Sequence, residues 1–270
     1  MIRKKYLIGL LVTLLLVALL LYFWQPFARR GNGNALWQFV SQQCVPNQQK
    51  NNSPAPCLDV NLQGHYALFK DRRGPYHNLL IPTDRISGIE SPLLLQLSTP
   101  AYFAAAWSYR DRLSSQMGKP IGDDVLGLAI NSLYGRTQGQ LHIHISCLKP
   151  EVYQTLRARN ANIGYDWVSL GQPLLGHDYL AIKLNGSDLT RTDPFKLLNQ
   201  YAQTRGDQME NYGLALTANT QGELILLAVR RDFIGLFNRG SAEEILDVSC
   251  ALAQPQNAAL HNAAGEYTGE

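Results

Sequence analysis

The chain has 270 residues and a formal net charge of +3, with 46% hydrophobic and 17% charged residues. Setting aside an apolar N-terminus leaves roughly 220 residues, enough for one large domain or two small ones. The small net charge, without a basic stripe or an alternation of aromatic and basic residues, excludes a nucleic-acid-binding surface.

The first element in chain order is Tyr6–Trp24, which is Leu-rich and lacks charge and proline, with Arg3, Lys4 and Lys5 before it. As a helix it would span about 28 Å, and Tyr22, Phe23 and Trp24 at its far end suit a headgroup layer. A cleaved signal peptide would have a shorter core and a small-x-small site, which Trp24-Gln-Pro-Phe-Ala28 does not supply. The expectation is an uncleaved single-pass anchor within residues 1–30. Arg29 and Arg30 follow the span, so its flanking charges barely orient it. The four cysteines (Cys44, Cys57, Cys147 and Cys250) form no CxxC pair. They suit two disulfides in an oxidising compartment better than a metal site or a set of reduced buried thiols. Cys44 and Cys57 bracket a loop and suit a local bridge, which leaves Cys147 for Cys250.

Residues 25–40 read as a linker entering a short helix, and 46–56 as a loop rich in Pro, Asn and Gln. His65–Lys70 and Asn78–Pro82 read as strands joined by Asp71-Arg-Arg-Gly-Pro. A helix opens at Ser98-Thr-Pro100 and runs to Met117 before Gly118 and Pro120. Val125–Asn131 and Gln140–Cys147 are the next strands. From about residue 176 the order recurs: a strand Tyr179–Leu184, a helix Asp193–Thr204, then strands Tyr212–Thr217 and Glu223–Val229. Gly127-Leu-Ala-Ile and Gln140-Leu-His-Ile-His echo Gly213-Leu-Ala-Leu and Glu223-Leu-Ile-Leu-Leu, with Ile225 and Leu227 in place of the two histidines. One reading is an internal duplication with a chemically silent half; the other is two hairpins that merely look alike. Residues 251–270 read as a tail without periodicity. The resulting division is 1–30, 31–250 and 251–270, and the fold class is α+β, an antiparallel sheet with helices packed on one face.

The segment Gln140-Leu-His-Ile-His-Ile-Ser146 carries the chemistry. The two-residue period of a strand puts Gln140, His142, His144 and Ser146 on one face, and apolar residues on the other. Such a polar stripe is costly to bury without a ligand or a partner. Imidazole can serve as nucleophile or proton carrier near neutrality. His-x-His can also chelate zinc, with His77 as a third ligand.

Gly135-Arg-Thr-Gln-Gly-Gln140-Leu-His-Ile-His-Ile145 resembles the signature strand of the histidine triad superfamily, and His77-Asn-Leu-Leu-Ile-Pro82 resembles its upstream strand. Cys44-Val-Pro-Asn-Gln-Gln, Leu80-Ile-Pro-Thr-Asp-Arg-Ile, Gly88-Ile-Glu-Ser-Pro92, Ala129-Ile-Asn-Ser132 and Ser241-Ala-Glu-Glu-Ile245 resemble the CDP-diacylglycerol pyrophosphatases of bacterial inner membranes within it. Gln140 stands where the superfamily has its first histidine. The resemblance implies a histidine-triad-like sheet and hydrolysis of CDP-diacylglycerol to CMP and phosphatidate, with no cofactor or metal. It also implies a location at the bacterial inner membrane, with the catalytic domain on the periplasmic side. His142 would be the nucleophile, and His144 its catalytic neighbour. Gln140, Thr137, Arg136, Asn131 and His77 would bind phosphate or ribose, with Lys70 and Lys149 as further cationic candidates. The alternatives are a soluble-nucleotide hydrolase or nucleotidyl transferase of the same superfamily, and a non-enzymatic metal- or lipid-binding envelope protein.

Overall fold

The computed structural model describes residues 6, 9, 10, 12–19, 32–234 and 237–254. Ten strands form one antiparallel sheet, in the order β1-β2-β3-β5-β4-β8-β9-β7-β6, with β10 paired to β5. They are β1 (Asp59–Asn61), β2 (Tyr66–Lys70), β3 (Asn78–Pro82), β4 (Leu126–Ile130), β5 (Ile143–Leu148), β6 (Val168–Ser169), β7 (Tyr179–Lys183), β8 (Tyr212–Ala218), β9 (Leu224–Arg230) and β10 (Leu246–Asp247).

Every residue of β3, β4, β5 and β8 is buried, so the middle of the sheet is covered on both faces. The expectation of helices on one face is corrected here. Ala67, Leu79 and Ile81 pack against Leu36, Val40 and Cys44 of the N-terminal helices. Leu68 and Leu80, which alternate with them, join the core of Phe103 and Ala106. The N-terminal layer is α1 (Ala35–Phe39), a wider turn at Val40–Cys44, and α2 (Val45–Asn51). The reading of 46–56 as a loop therefore gives way to a helix that ends at Asn52, in the left-handed region. The helix expected up to Met117 is two, α3 (Tyr102–Ser108) and α4 (Asp111–Met117), and α4 stops at left-handed Gly118.

The expected membrane-spanning helix is also corrected. Among the described residues no helix is long and apolar enough to cross a membrane. The other residues of the expected anchor, and 255–270 of the expected tail, lie outside the described residues.

The two halves meet at β4 and β8, where Ala129 lies opposite Ala215, Leu128 opposite Leu216 and Ile130 opposite Leu214. In the sequence echo Ala129 corresponds to Ala215, so a local twofold passes between those two residues. The register continues outward. His144 is flanked by Ala129 and Leu79, and Leu227 by Ala215 and Ala181. His144 and Leu227 therefore hold equivalent places on the same face of one sheet.

The segments that follow β5 and β9 each cross to the other half. After β5, α5 (Pro150–Arg159) leads to Asn160, which bonds Gln221 and Asn219 at the β8–β9 turn. After β9 the chain returns along β4, where Ser132 N–H donates to Gly240, and β10 then pairs with β5. α6 (Pro194–Thr204) is capped by Asp193, whose carboxylate accepts the Phe195 N–H at 2.9 Å. It buries Phe195, Leu198 and Ala202 along one side.

Both disulfides form as expected, Cys44–Cys57 and Cys147–Cys250. The second closes 103 residues and staples the returning segment to β5. Replacing Cys147 and Cys250 by alanine is expected to lower the unfolding free energy by about 2–5 kcal/mol. Urea unfolding without reductant checks this, and an unchanged midpoint would show that the returning segment is held by packing alone.

Candidate active site

His142 sits just before β5, only 7% exposed. Its Nδ1 lies 2.8 Å from the carbonyl oxygen of Gln140. A carbonyl can only accept, so Nδ1 carries the hydrogen and Nε2 is left with its lone pair. Burial, and then the neighbouring His144, push the pKa of His142 down to about 4, so the ring is neutral around pH 7.

His144 is fully buried and lies edge-on to His142, with ring centroids 4.9 Å apart. Its Nδ1 is 2.9 Å from His77 Nε2, and these two rings stack. The two nitrogens face each other across one hydrogen bond and so do not converge on a shared point, as metal ligands would. On its other side, His144 Nε2 lies 2.8 Å from Glu243 Oε2. The carboxylate is off the line of an N–H donor there, so the two atoms are close without a formed hydrogen bond.

Glu243 arrives on the turn Ala242–Ile245. Its backbone N–H donates to Asn131 Oδ1 at 3.0 Å, and the Arg73 guanidinium reaches its two oxygens at 3.4 and 3.2 Å. Burial opposes ionisation of Glu243, but His144 and Arg73 outweigh it and hold the carboxyl well below its usual range. Arg73 also contacts Asp71, whose carboxylate stands 3.8 Å from His77 Nδ1, outside hydrogen-bond reach. Burial first, and then His144, keep His77 neutral by lowering its pKa. The result is a ring of Arg73, Glu243, His144, His77 and Asp71 beside His142.

The other expected binding residues are placed less directly. Gln140 is fully buried: its amide donates to the carbonyls of Pro82 and Asp84 at 3.0 and 2.8 Å, and its oxygen accepts from Arg85 at 3.3 Å. It fixes the approach to β5. Arg136 makes a two-pronged pair with Glu90, one bond being 2.8 Å and the other shorter. Thr137 is exposed and, with Arg136 and Gln138, lines a cavity of about 370 Å³ beside Gly33 and Asn34. Asn131 positions Glu243. Lys70 donates to the carbonyls of Asp71, Gly74 and His77, tying the β2–β3 turn, and Lys149 lies just before α5. Ser146 bonds the carbonyls of Tyr76 and Asp247.

Across the local twofold, a cavity of about 190 Å³ lies over Ile225, between Leu148, Leu156 and Gln221. Its polar lining is already partnered internally, through Asn160 with Gln221 and Asn219, and through Tyr153 with Asp124. No imidazole stands at His142's counterpart.

A family model described as CDP-diacylglycerol pyrophosphatase matches residues 31–254. The chain belongs to that family. A CDP-diacylglycerol pyrophosphatase of Yersinia pestis is 45% identical over 247 residues, covering 92% of this chain and 94% of the relative. A solved HIT family hydrolase from Clostridium thermocellum aligns with 38% of this chain and 89% of its own, at 20% identity and a TM-score of 0.28.

In this member of the CDP-diacylglycerol pyrophosphatase family, Arg73, Asp71 and Glu243 complete the histidine cluster, and reading the sequence did not single them out. Asp71 and Arg73 stood in a turn, and Glu243 lay 99 residues beyond His144. The depressed pKa of His142 has a kinetic consequence. Protonation removes the lone pair only below the folded value, so kcat/KM is expected to stay level from neutrality to about pH 5 and to fall below that. An acid limb centred near the ordinary imidazole value of about 6.5 would contradict the buried, neutral ring.

Proposed function

We propose that the chain hydrolyses the pyrophosphate of CDP-diacylglycerol to CMP and phosphatidate by nucleotidyl transfer to His142. The observation that carries this mechanism is the Nδ1–H···O=C bond to Gln140, which leaves Nε2 as an unprotonated nucleophile. The family supports the overall reaction and its substrate.

In the first step the Nε2 lone pair forms a bond to the cytidine-linked phosphorus. The bond from that phosphorus to the bridging oxygen breaks, and its electron pair leaves with phosphatidate. A phosphate monoester is a weak base, so this departure needs little acid assistance. Bond formation makes the imidazole of His142 cationic. The Gln140 carbonyl, already accepting its N–H, and the nearby Glu243 carboxylate both favour that charge. In the second step water attacks phosphorus, the N–P bond breaks, and His142 returns neutral as a proton passes to solvent.

His144, in this reading, transmits the Glu243 charge to the nucleophile and holds its ring edge-on. Thr137 is the group we assign to substrate phosphate, because its side chain is exposed on the cavity-lining loop. Arg136 would join it on leaving Glu90. Two disulfides support a working location in an oxidising compartment.

The substitution His142→Ala is expected to lower turnover of CDP-diacylglycerol by about 10⁴-fold or more, with an unchanged circular dichroism spectrum. With cytidine-labelled substrate, label should remain on the wild-type protein after a rapid alkaline quench and be absent from the variant. A folded variant that still turns over would rule out covalent transfer to His142.

A further inference from the structure

Among its described residues, the loop between β9 and the Glu243 turn carries three large apolar side chains outward. Phe233, Ile234 and Phe237 are 43, 95 and 83% exposed. Single exposed apolar residues are ordinary on protein surfaces, but three within one short loop mark a contact site. The base of the loop is clamped. Asp232 and Asn238 exchange backbone hydrogen bonds of 2.8 and 2.6 Å, and Asn238 Nδ2 donates to the Arg230 carbonyl. Phe233 meets Tyr134 edge-on at 5.7 Å, and the Arg231 guanidinium lies over both rings, at 4.1 and 5.0 Å. The described ends of the loop are therefore held in place while Ile234 and Phe237 stay exposed.

Its position is set by strand register. Arg230 lies opposite Tyr212 at one end of the β8–β9 pair, the end where β4 stops at Ile130 and β5 begins after His142. The loop is rooted there: Gly240 accepts from Ser132 N–H, and the Arg239 carbonyl accepts from the Ser132 hydroxyl at 2.5 Å. Three residues past Gly240 the chain delivers Glu243 to His144. The apolar tip and the nucleophile thus share one edge of the sheet.

Charge at this edge favours a lipid surface over a second protein copy. Arg230 is neutralised by Asp207. Arg231 donates to the amide oxygen of Asn211 and has no carboxylate partner, and exposed Arg239 has none either, among the described residues. An apolar tip flanked by two guanidiniums that form no ion pair, against the one carboxylate of Asp232, matches the acyl boundary and the phosphate layer of an anionic bilayer.

We propose that Phe233, Ile234 and Phe237 insert into the bilayer that holds the substrate, with Arg231 and Arg239 against its phosphates. His142 would then face the headgroup layer while the acyl chains of the leaving group stay in lipid. This rests on CDP-diacylglycerol being the substrate.

Because no described cysteine is free, Ile234→Cys gives the full-length chain a single thiol for an environment-sensitive fluorophore. Ser187→Cys, exposed beyond β7 at the opposite sheet edge, serves as the control. On adding phosphatidylethanolamine–phosphatidylglycerol vesicles, the label at 234 should shift to the blue and brighten several-fold, while the label at 187 should stay unchanged. No response at 234, an equal response at both sites, or a response that follows protein concentration without vesicles would overturn the proposal. In parallel, the triple substitution Phe233→Ser, Ile234→Ser and Phe237→Ser should lower kcat/KM on vesicle-embedded CDP-diacylglycerol about tenfold. Its rate on detergent-dispersed substrate should match wild type. Equal rates on vesicles, or an equal loss on both forms, would also overturn it. Failure of the wild-type chain on both forms would instead refute the substrate assignment itself.

Discussion

The seating of Glu243 beside His144 is the contact on which the site depends, and neither half of the chain can make it alone. His144 and His142 belong to the first half, whereas the carboxylate comes from the segment that follows the last long strand of the second. To reach His144 that segment must lie flat against the sheet. Gly213 permits this, since a Cβ there would stand 2.4 Å from the Gly240 carbonyl oxygen and 2.9 Å from the Ala242 nitrogen. Asn131, Arg73 and the Cys147–Cys250 bridge then fix the segment from three directions. A partly buried carboxylate is unfavourable unless it is paired, and here its neighbours are a guanidinium and an imidazole.

The local twofold explains why one sheet carries one site. The register that pairs Ala129 with Ala215 puts Leu227 at the place of His144. With Ile225 and Leu227 in place of imidazoles, the second half lacks the groups to which the proposed chemistry is assigned, and its polar cavity groups bond one another. What it retains is structural: it completes the sheet, buries the edge that β4 would otherwise expose, and sends back the arm with Glu243. Exchange of the two arms across the twofold ties the halves together more firmly than the β4–β8 pairing alone.

Much of this was legible in the sequence where the signals were local. Asn78–Pro82 is a strand with the expected limits, and the strands near 126, 179, 212 and 224 fall within a residue or two of their expected ends. The alternation that singled out His142 and His144 was readable because strand periodicity is short, although the strand begins only at Ile143 and leaves Gln140 and His142 just before it. Helix α5 was overlooked although Pro150 and Glu151 open it and Arg157 and Arg159 close it, because its apolar face is only Val152, Tyr153 and Leu156. Residues 46–56 misled because Pro46, in the first turn, starts a helix as readily as it breaks one. The role of Gln140 could not be read, since its amide group donates to the backbone carbonyls of Pro82 and Asp84, which any sequence would supply. The ionic ring was hidden for another reason: Arg73, Asp71 and Glu243 are ordinary surface residue types, and only the tertiary path brings them to a buried imidazole.

The account turns on His142 attacking phosphorus before water does. The stereochemical course at the cytidine phosphorus tests this most directly, using CDP-diacylglycerol made chiral there by a sulfur substitution and hydrolysed in water labelled with oxygen-18. Two successive in-line displacements, one by His142 Nε2 and one by water, predict net retention of configuration in the thio-CMP product. Net inversion would show that water attacks the substrate directly, and would contradict the covalent role assigned to His142.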